Sequence, residues 1–358
     1  MNILFCVDDF KGGAGNVVQL LSTELYHRNY KVSICILGGT TPGRHSLEGI
    51  CVHRLPPCHN KLRRFYQHAL DVRKLIIEER PDCVISFLFG VSAFVNLAMI
   101  GKCIPLIVSE RSDPKYLKPA GFLKVLTEFA YYRAQTIVVL FDCFRKISGG
   151  KYYKKTIVIP NPVPPITNCD HNRDVLGEGI RFVTIANDTP PKGLDILVSA
   201  FYTVVKYCPK ATLRIYGSQK DDGLQRQISS LDLNDNVFLM GYTMNIIEPL
   251  SWSDVYVMPS RHEGFPNSLC EAMSAGKCCI ATVCHEGIRE LINDGVNGIL
   301  AETENIKSLA DKMLYVIDNP EKIHLIGEQA ASISAKYNMN SILDLWEIAI
   351  RKCRITNN

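Results

Sequence analysis

Two glutamates, Glu263 and Glu271, could together hold a ligand that is rich in hydroxyl groups. Glu263 stands in a loop beside the flexible Gly264, and the apolar run at residues 255–258 precedes this loop. That run is short and rich in β-forming residues, which predicts a buried parallel strand. A strand followed by a loop and a helix places the loop at the carboxyl edge of a sheet, where open α/β sheets bind ligands.

The helix predicted over residues 269–275 begins beside these glutamates and could present an anion site. The backbone N–H groups of Asn267, Ser268 and Leu269 would point out of its start, where such groups lack intrahelical partners. They could hold a phosphate between two hydroxyl-bearing rings, each of which donates hydrogen bonds to one carboxylate. Ser268 and Glu271 also fit a capping box, in which Glu271 would only accept from the Ser268 amide. Spacing alone leaves both interpretations open.

The run at residues 259–276, P-S-R-H-E-G-F-P-N-S-L-C-E-A-M-S-A-G, resembles the donor-site signature of the retaining family 4 glycosyltransferases. This resemblance implies the GT-B fold, an α/β architecture of two Rossmann-like domains facing a central cleft. It also implies that Glu263 contacts the donor sugar and that Glu271 holds the nucleotide ribose. The signature further assigns donor binding to Gly264, Phe265, Pro266, Asn267 and Ser268.

The cations that would meet the donor diphosphate are only partly present. Lys192 lies at a predicted helix start and matches the lysine of the family's Arg–Lys pair, so we expect it to act with Glu263 in catalysis. The arginine position of that pair is Asn187, which is assigned to the donor site without a charge. Arg261, Lys220 or backbone amides would have to supply the missing cation.

The resemblance assigns two more donor contacts at strand ends. Tyr242 and Thr243 follow the predicted strand at 237–240, near which the family rests the nucleobase on backbone groups. Gly13 lies in a Gly-rich loop predicted over residues 8–15, where the family has G-G-A-E-R and Gly15 replaces the glutamate. This loop also resembles a dinucleotide loop, although G-x-G-x-x-G and the acidic ribose residue are missing.

Two basic segments of the first half are candidates for the acceptor site. A helix predicted over 60–79 carries Arg63 and Arg64 among aromatic residues, which is typical of a membrane-surface element, an acceptor-phosphate site or a solvated helix. The run S-E-R-S-D-P at 109–114 resembles members that add N-acetylhexosamines, GalNAc in particular, to polyprenyl-diphosphate-linked acceptors. Glu110 and Arg111 are therefore acceptor candidates, and a turn with a Glu110–Arg111 ion pair is the alternative.

Charge and cysteine content indicate the partners and the compartment. Residues 1–165 carry 22 Lys and Arg against 12 Asp and Glu, whereas the whole chain has a net charge of +4. We expect this basic half to meet the anionic inner face of a membrane rather than a nucleic acid, for which no motif is visible. The 14 cysteines form no disulfide or zinc pattern, so a reducing cytoplasm is expected. Residues 83–101 are uncharged but divide into a strand and a buried helix, so we do not expect them to span a bilayer.

A chain of 358 residues is long enough for two domains. The proline-rich connector at 160–165 predicts an acceptor and membrane-facing domain over 1–163 and a donor domain over 164–340. The family resemblance adds that the closing helix at 341–358 returns to the first domain.

The family resemblance therefore implies a retaining transferase that moves a hexosamine, α-GalNAc from UDP-GalNAc, onto a polyprenyl-diphosphate-linked saccharide. We expect no cofactor and no metal, since no D-x-D pair is present to hold a divalent ion. The alternatives are a nucleotide-sugar epimerase or hydrolase of the same fold and a non-catalytic membrane scaffold.

Overall fold

Parallel β-strands form two separate sheets, one for each half of the chain. In this computed structural model, the described residues are 1–10, 12–39, 43, 46–56, 61–116, 119, 121–167, 169, 179–217 and 222–355, with backbone alone at 61–65, 148, 222, 354 and 355. The chain divides into unit 1, Met1–Pro162 with Met339–Asn358, and unit 2, Val163–Asn338. The predicted domain change after residue 163 lies one residue beyond this division.

The sheet of unit 1 has seven strands in the order β3-β2-β1-β4-β5-β6-β7. Its central strands are buried except at Asn2 because helices cover both faces, and their sequences are accordingly mostly apolar. The strands are β1 Asn2–Val7, β2 Lys31–Ile36, β3 Cys51–Arg54, β4 Cys83–Phe87, β5 Leu106–Ser109, β6 Thr136–Val139 and β7 Thr156–Val158.

The helices of unit 1 connect these strands, and the last one comes from the end of the chain. The helices are α1 Gly12–His27, α2 Lys61–Glu79, α3 Phe89–Ala98, α4 Gly121–Arg133 and the closing helix, Met339–Ile355. Helix α3 packs against both α2 and α4. The prediction that residues 83–101 form a strand and a helix is confirmed by β4 and α3. No helix in the described part of the chain is both long and apolar enough to cross a bilayer.

The sheet of unit 2 has six strands in the order β10-β9-β8-β11-β12-β13. The strands are β8 Arg181–Ile185, β9 Thr212–Tyr216, β10 Val237–Gly241, β11 Val255–Met258, β12 Cys278–Thr282 and β13 Ile299–Ala301. The strand order reverses between β8 and β11, which are hydrogen-bonded neighbours. This reversal opens a crevice at the carboxyl ends of the two strands.

Helices cover the second sheet and complete its core. They are α5 Leu194–Tyr207, α6 Asp222–Ser230, α7 Ile247–Trp252, α8 Asn267–Ser274, α9 Ile288–Leu291, α10 Ile306–Asp318, α11 Glu321–Ala330 and α12 Ile333–Lys336. The closing helix of unit 1 is therefore α13. Along the chain, α5 is the next α-helix after β8, and α8 is the next α-helix after β11.

Candidate active site

The carboxyl ends of β8 and β11 bring Lys192 and Glu263 together. The chain leaves β8 through a 3₁₀ turn, Pro190–Lys192, and leaves β11 through the loop at 259–266. Lys192 Nζ donates to Glu263 Oε1 at 2.8 Å and to Oε2 at 2.9 Å. Since an ammonium group has three N–H donors, one remains for a ligand. Two residues that were predicted as catalytic thus form one ion pair at the sheet reversal.

A second donor, to which the sequence motifs give no role, fixes the Glu263 carboxylate. Ser260 Oγ donates to Glu263 Oε1 at 2.7 Å, and Ser260 is 1% exposed. The Ser260 carbonyl in turn accepts from Thr282 Oγ1 at 2.6 Å. The only signal for this contact in the sequence is the Ser-x-x-Glu spacing, which also occurs in many unrelated turns.

Arg261 anchors the loop and is not placed to replace the missing diphosphate arginine. Its guanidinium donates to both Asp195 carboxylate oxygens, at 2.8 and 2.7 Å, and to Glu304 Oε1 at 3.0 Å. The Arg261 hydrogen bonds lower the pKa of Asp195, and the same contacts raise the pKa of Arg261. The suggestion that Arg261 supplies the second cation is therefore wrong for this conformation. Lys220, the other candidate, lies outside the described residues.

Helix α8 begins two residues earlier than predicted, and the capping-box interpretation is wrong. Its N-cap is Pro266, so Ser268 is the second helical residue and accepts from Tyr256 Oη at 2.9 Å. Glu271 is the fifth helical residue and lies in the second turn rather than the first. Its side chain is half-buried, and the cap position that the capping box would require at Ser268 is taken by Pro266.

Of the three backbone N–H groups predicted to form an anion site at the start of α8, two remain available. Asn267 N–H donates to Phe265 O at 2.9 Å in a tight turn. Ser268 and Leu269 N–H have no acceptor among the described residues. These two amides remain suited to hold an anion.

Phe265 and Pro266 lie inside unit 2. The Phe265 ring packs edge-on against Tyr337, with the ring centroids 6.0 Å apart, and both Phe265 and Pro266 are buried. A donor contact from these residues would have to come from their backbone, while Gly264 before them is half-buried. Their packing fixes where α8 begins.

Three further donor candidates follow the carboxyl ends of β8 and β10 in the second sheet. Asn187 follows β8 and is exposed, with no charge to replace the family arginine. Tyr242 follows β10 and is 56% exposed. Thr243 Oγ1 donates to Asn245 O at 2.8 Å and accepts from its N–H at 3.1 Å, which closes a turn at this edge. Their predicted contacts with a nucleotide stay predictions.

The Gly-rich segment of unit 1 is helical, which corrects the predicted loop. Helix α1 begins at Gly12, so Gly13 lies in its first turn and is half-buried. A Cβ at Gly15 would stand 2.5 Å from the Phe10 carbonyl carbon. This backbone therefore does not accommodate the glutamate that the family has at this position.

Glu110 and Arg111 follow β5 and are both buried, at 1% and 8% exposure. Arg111 stacks on Phe87 and Trp346, 4.7 and 5.5 Å from the ring centroids, and donates to Asn161 Oδ1 at 2.9 Å. Burial raises the pKa of Glu110 to about 7, against opposing effects of Tyr131 and Arg111. The Arg111 guanidinium thus has internal partners, and an acceptor role for this pair stays a prediction.

The remaining acceptor candidates, Arg63 and Arg64, lie in the first turn of α2, and their side chains are outside the described part of the structure. Near the other end of α2, Cys51, His53 and Glu79 place one potential ligand atom each within 4.8 Å of one another. No spacing pattern in the sequence indicates this group. Lys31 Nζ, 3.5 Å from Glu79, would compete with a cation there.

Comparison with known proteins identifies the family of this chain. The family model "Glycosyltransferase Family 4" matches residues 11–165, and "Glycosyl transferases group 1" matches residues 172–332. An uncharacterised glycosyltransferase of Methanocaldococcus jannaschii is 30% identical over 335 residues, which cover 90% of each chain. This chain belongs to the family 4 glycosyltransferases.

Two other similarities bear on this glycosyltransferase. The Anabaena protein Alr3699/HepE, solved with UDP and glucose, has a TM-score of 0.82 at 20% identity and covers 98% of this chain and 99% of its own. That likeness confirms the predicted GT-B fold. A Campylobacter jejuni enzyme named N,N'-diacetylbacillosaminyl-diphospho-undecaprenol α-1,3-N-acetylgalactosaminyltransferase is 36% identical over 107 residues, 30% of this chain and 28% of the relative.

Proposed function

We propose that this glycosyltransferase moves a hexosamine, α-GalNAc from UDP-GalNAc, onto a lipid-linked saccharide and retains the anomeric configuration. The observation that carries the proposal is the Lys192–Glu263 ion pair, which lies at the sheet reversal and in the loop that leads into α8. An ion pair with one spare N–H donor, followed by a helix start with two unpartnered amides, suits a sugar joined to a diphosphate.

The barrier to transfer falls when preorganised donors meet the charge that develops on the departing nucleoside diphosphate. The third N–H of Lys192 and the amides of Ser268 and Leu269 would supply those donors. Glu263, held by Ser260, would orient the sugar, and Glu271 would accept hydrogen bonds from the ribose hydroxyls. With the donor held in this way, the departing phosphate itself takes the proton of the attacking hydroxyl on the same face of the sugar.

The lipid-linked acceptor is proposed from two further observations. The relative from Campylobacter jejuni is named as a transferase that acts on an undecaprenol-linked sugar. The run 109–114 of this chain resembles members with such acceptors, and residues 1–165 carry the basic excess that an anionic leaflet would attract. We therefore place the reaction at the inner face of the cell membrane, with the enzyme peripherally associated.

We further propose that the reaction needs no metal ion, because Lys192 and backbone amides can neutralise the leaving group. Turnover should persist in excess EDTA. Complete loss of turnover that magnesium restores would contradict this part of the proposal.

The proposed function is tested by incubating the enzyme with a panel of nucleotide sugars and extracted lipid-linked acceptor, and by reading the mass shift of the acceptor. We expect a shift of one N-acetylhexosamine from UDP-GalNAc, with an α-linkage in the product NMR spectrum. Glu263→Ala should abolish transfer, whereas Glu304→Ala, which removes an exposed partner of Arg261, should retain most of it.

Two outcomes of this experiment would contradict the transferase. UDP-sugar consumption at the same rate without any acceptor would indicate an epimerase or hydrolase. A Glu263→Ala variant that transfers as fast as the unmodified enzyme would show that the ion pair does not serve catalysis.

A further inference from the structure

Cys51, His53 and Glu79 bring three kinds of metal-binding side chain together in unit 1. Cys51 Sγ lies 3.3 Å from His53 Nε2, and the same nitrogen lies 3.3 Å from Glu79 Oε1. The three potential ligand atoms all lie within 4.8 Å of one another. We call these three residues the edge cluster. It shares no residue with the candidate active site.

Two elements of the first sheet position the edge cluster. Cys51 and His53 are the first and third residues of β3, so the alternation of side chains along a strand directs both to the same face. Glu79 is the last residue of α2, the next helix along the chain. The Glu79 carbonyl accepts from Asn2 Nδ2 at 2.6 Å, which holds this helix end beside the start of β1.

The edge cluster therefore lies at the amino ends of the strands. Strand β3 runs parallel to β2, and Cys51 is the residue with which it begins. Substrates of parallel α/β sheets bind at the opposite edge, outside the carboxyl ends of the strands. The position of the cluster favours a structural metal ion over one that contacts a substrate.

The ligand types and their separations fit Zn²⁺. Thiolate, imidazole and carboxylate all bind zinc, and bonds of about 2.0–2.3 Å place the ligand atoms of a tetrahedral site about 3.3–3.6 Å apart. The two separations measured from His53 Nε2 match this value. Mg²⁺ and Ca²⁺ prefer oxygen ligands, so a set with a thiol and an imidazole does not suit them.

The edge cluster is open to an ion from solvent. Cys51 is a free and exposed thiol, while the side chains of His53 and Glu79 are 30% and 18% exposed. Coordination would release the Cys51 thiol proton to water and would require the His53 tautomer that carries its proton on Nδ1. A water molecule would complete the four ligands.

Lys31 lies beside the edge cluster and would weaken the binding of a cation. Its Nζ is 3.5 Å from Glu79 Oε2, whereas the oxygen nearest His53 is Oε1. The Lys31 side chain is 71% exposed, so it can turn into solvent while Oε1 binds the ion. Its positive charge would still oppose a divalent cation. Removal of this charge should therefore strengthen binding, an effect that misfolding does not produce.

We propose that the edge cluster binds one zinc ion through Cys51, His53 and Glu79, and that this ion links β3 to the end of α2. Strand β3 is an edge strand, and none of its four residues is buried. Apolar packing therefore contributes little to holding it, and a metal link would contribute more there than at a central strand. The inference goes beyond the proposed function, because zinc binding is measured without any transfer.

Zinc binding is tested on the full chain after it has been stripped with EDTA and dialysed with a phosphine reductant. Zn²⁺ is titrated in competition with a chromophoric chelator, and Co²⁺ serves as the spectroscopic probe. The cluster variant is Cys51→Ser with His53→Gln. The matched control is Cys103→Ser with His324→Gln, which changes one exposed cysteine and one exposed histidine outside the cluster.

We expect one zinc ion per chain, and a thiolate-to-metal charge-transfer band with Co²⁺. The cluster variant should lose this band and bind zinc at least about a hundredfold more weakly, since removal of even an outer partner of a metal ligand costs about 10–100-fold. The control should behave like the unmodified chain. Zinc at about a hundredfold excess over its dissociation constant should raise the thermal unfolding midpoint by about 5 °C, except in the cluster variant.

Lys31→Gln supplies the test in the opposite direction and should bind zinc about threefold more tightly than the unmodified chain. Equal zinc affinity in the cluster variant and its control would place the ion on other cysteines and overturn the proposal. So would a Co²⁺ spectrum without a thiolate band, or a Lys31→Gln variant that binds zinc no more tightly. Turnover in EDTA tests the proposed function separately, because Lys192 and Glu263 are not among the zinc ligands.

Discussion

At the scale of single residues, Ser260 decides how firmly Glu263 is held. Its hydroxyl donates to a carboxylate that also accepts hydrogen bonds from Lys192. Among the described side chains, removal of the hydroxyl leaves Lys192 as the one donor to Glu263. We expect Ser260→Ala to lower kcat by about tenfold or more, because hydrogen bonds to charged groups contribute about 1.5–3 kcal/mol. The KM for the donor should change less, since the nucleotide contacts are retained.

The control for this change is Ser230→Ala, at an exposed serine whose hydroxyl donates to Gln227 O. Steady-state kinetics with varied donor would separate kcat from KM for both variants. Because Ser260 acts through Glu263, the combination with Glu263→Ala should cost no more than Glu263→Ala alone. An unchanged kcat in Ser260→Ala would exclude the positioning role.

A separate prediction concerns Glu110 and the dependence of the free energy of unfolding on pH. Burial raises its pKa from the ordinary value of 4.5 to about 7 in the folded chain. The folded state therefore retains a proton that the unfolded chain has already lost, and stability falls as the pH rises from about 4.5 through about 7. We expect Glu110→Gln to reduce this fall by on the order of 2 kcal/mol.

Urea unfolding at about pH 5 and about pH 8 would measure the free energy of unfolding for the Glu110 variant and the unmodified chain. Glu286→Gln, at a glutamate whose side chain is 75% exposed, is the control and should change neither value. An equal pH dependence in the Glu110 variant and the unmodified chain would show that Glu110 is ionised in the folded state.

At the scale of elements, the active site depends on how closely α5 approaches the end of β11. Gly193 has φ +66°, and a Cβ there would stand 2.2 Å from the Pro259 carbonyl oxygen. Gly295 has φ +74° with no atom within 4 Å of its Cβ position. Alanine at either site incurs roughly 1–2 kcal/mol for the left-handed backbone. Only Gly193→Ala adds a clash.

We therefore expect Gly193→Ala to lower the free energy of unfolding by clearly more than Gly295→Ala does. The difference, measured by urea unfolding, reports the contact between the helix start and the strand end. Because that contact also sets the distance from Lys192 to Glu263, the Gly193 variant should lose transfer activity as well. Equal destabilisation by the two substitutions would mean that the start of α5 can move away from the end of β11 without loss of stability.

The same elements explain which features could be predicted from the sequence. Short apolar runs such as 255–258 are buried on both faces, and this local property marks parallel strands directly. The order strand, loop, helix then located Glu263 at a sheet edge. In contrast, the Ser260–Glu263 and Arg261–Asp195 contacts depend on side-chain directions and on segments far apart in the chain, which spacing does not encode. The start of α1 at Gly12 was missed because glycines favour loops, whereas the close approach of Gly15 to Phe10 is a tertiary constraint.

At the scale of the whole molecule, unit 1 is built from two segments that lie at opposite ends of the chain. Helix α13 returns to the first sheet, where Trp346 is fully buried and stacks on Phe87 with the ring centroids 5.9 Å apart. Arg28 Nη1 forms ion pairs with two carboxylates of the same helix, Asp344 Oδ1 at 2.7 Å and Glu347 Oε2 at 3.2 Å. Helix α13 thus helps to stabilise the unit that contains β1 and α1.

We predict from this arrangement that Trp346→Ala destabilises unit 1 selectively. Loss of a buried tryptophan typically costs about 3–5 kcal/mol, and here it also removes one of the two rings that flank Arg111. The chain has 2 tryptophans, so the variant leaves Trp252 of unit 2 as the sole indole reporter. Urea unfolding followed by far-UV circular dichroism should show an early transition, while Trp252 fluorescence changes at the original midpoint, as expected when two units unfold separately. Phe201→Ala in the core of unit 2 should instead give an early transition of unit 2 and leave that of unit 1 at its original midpoint. Coincident transitions in both variants would mean that the units unfold as one.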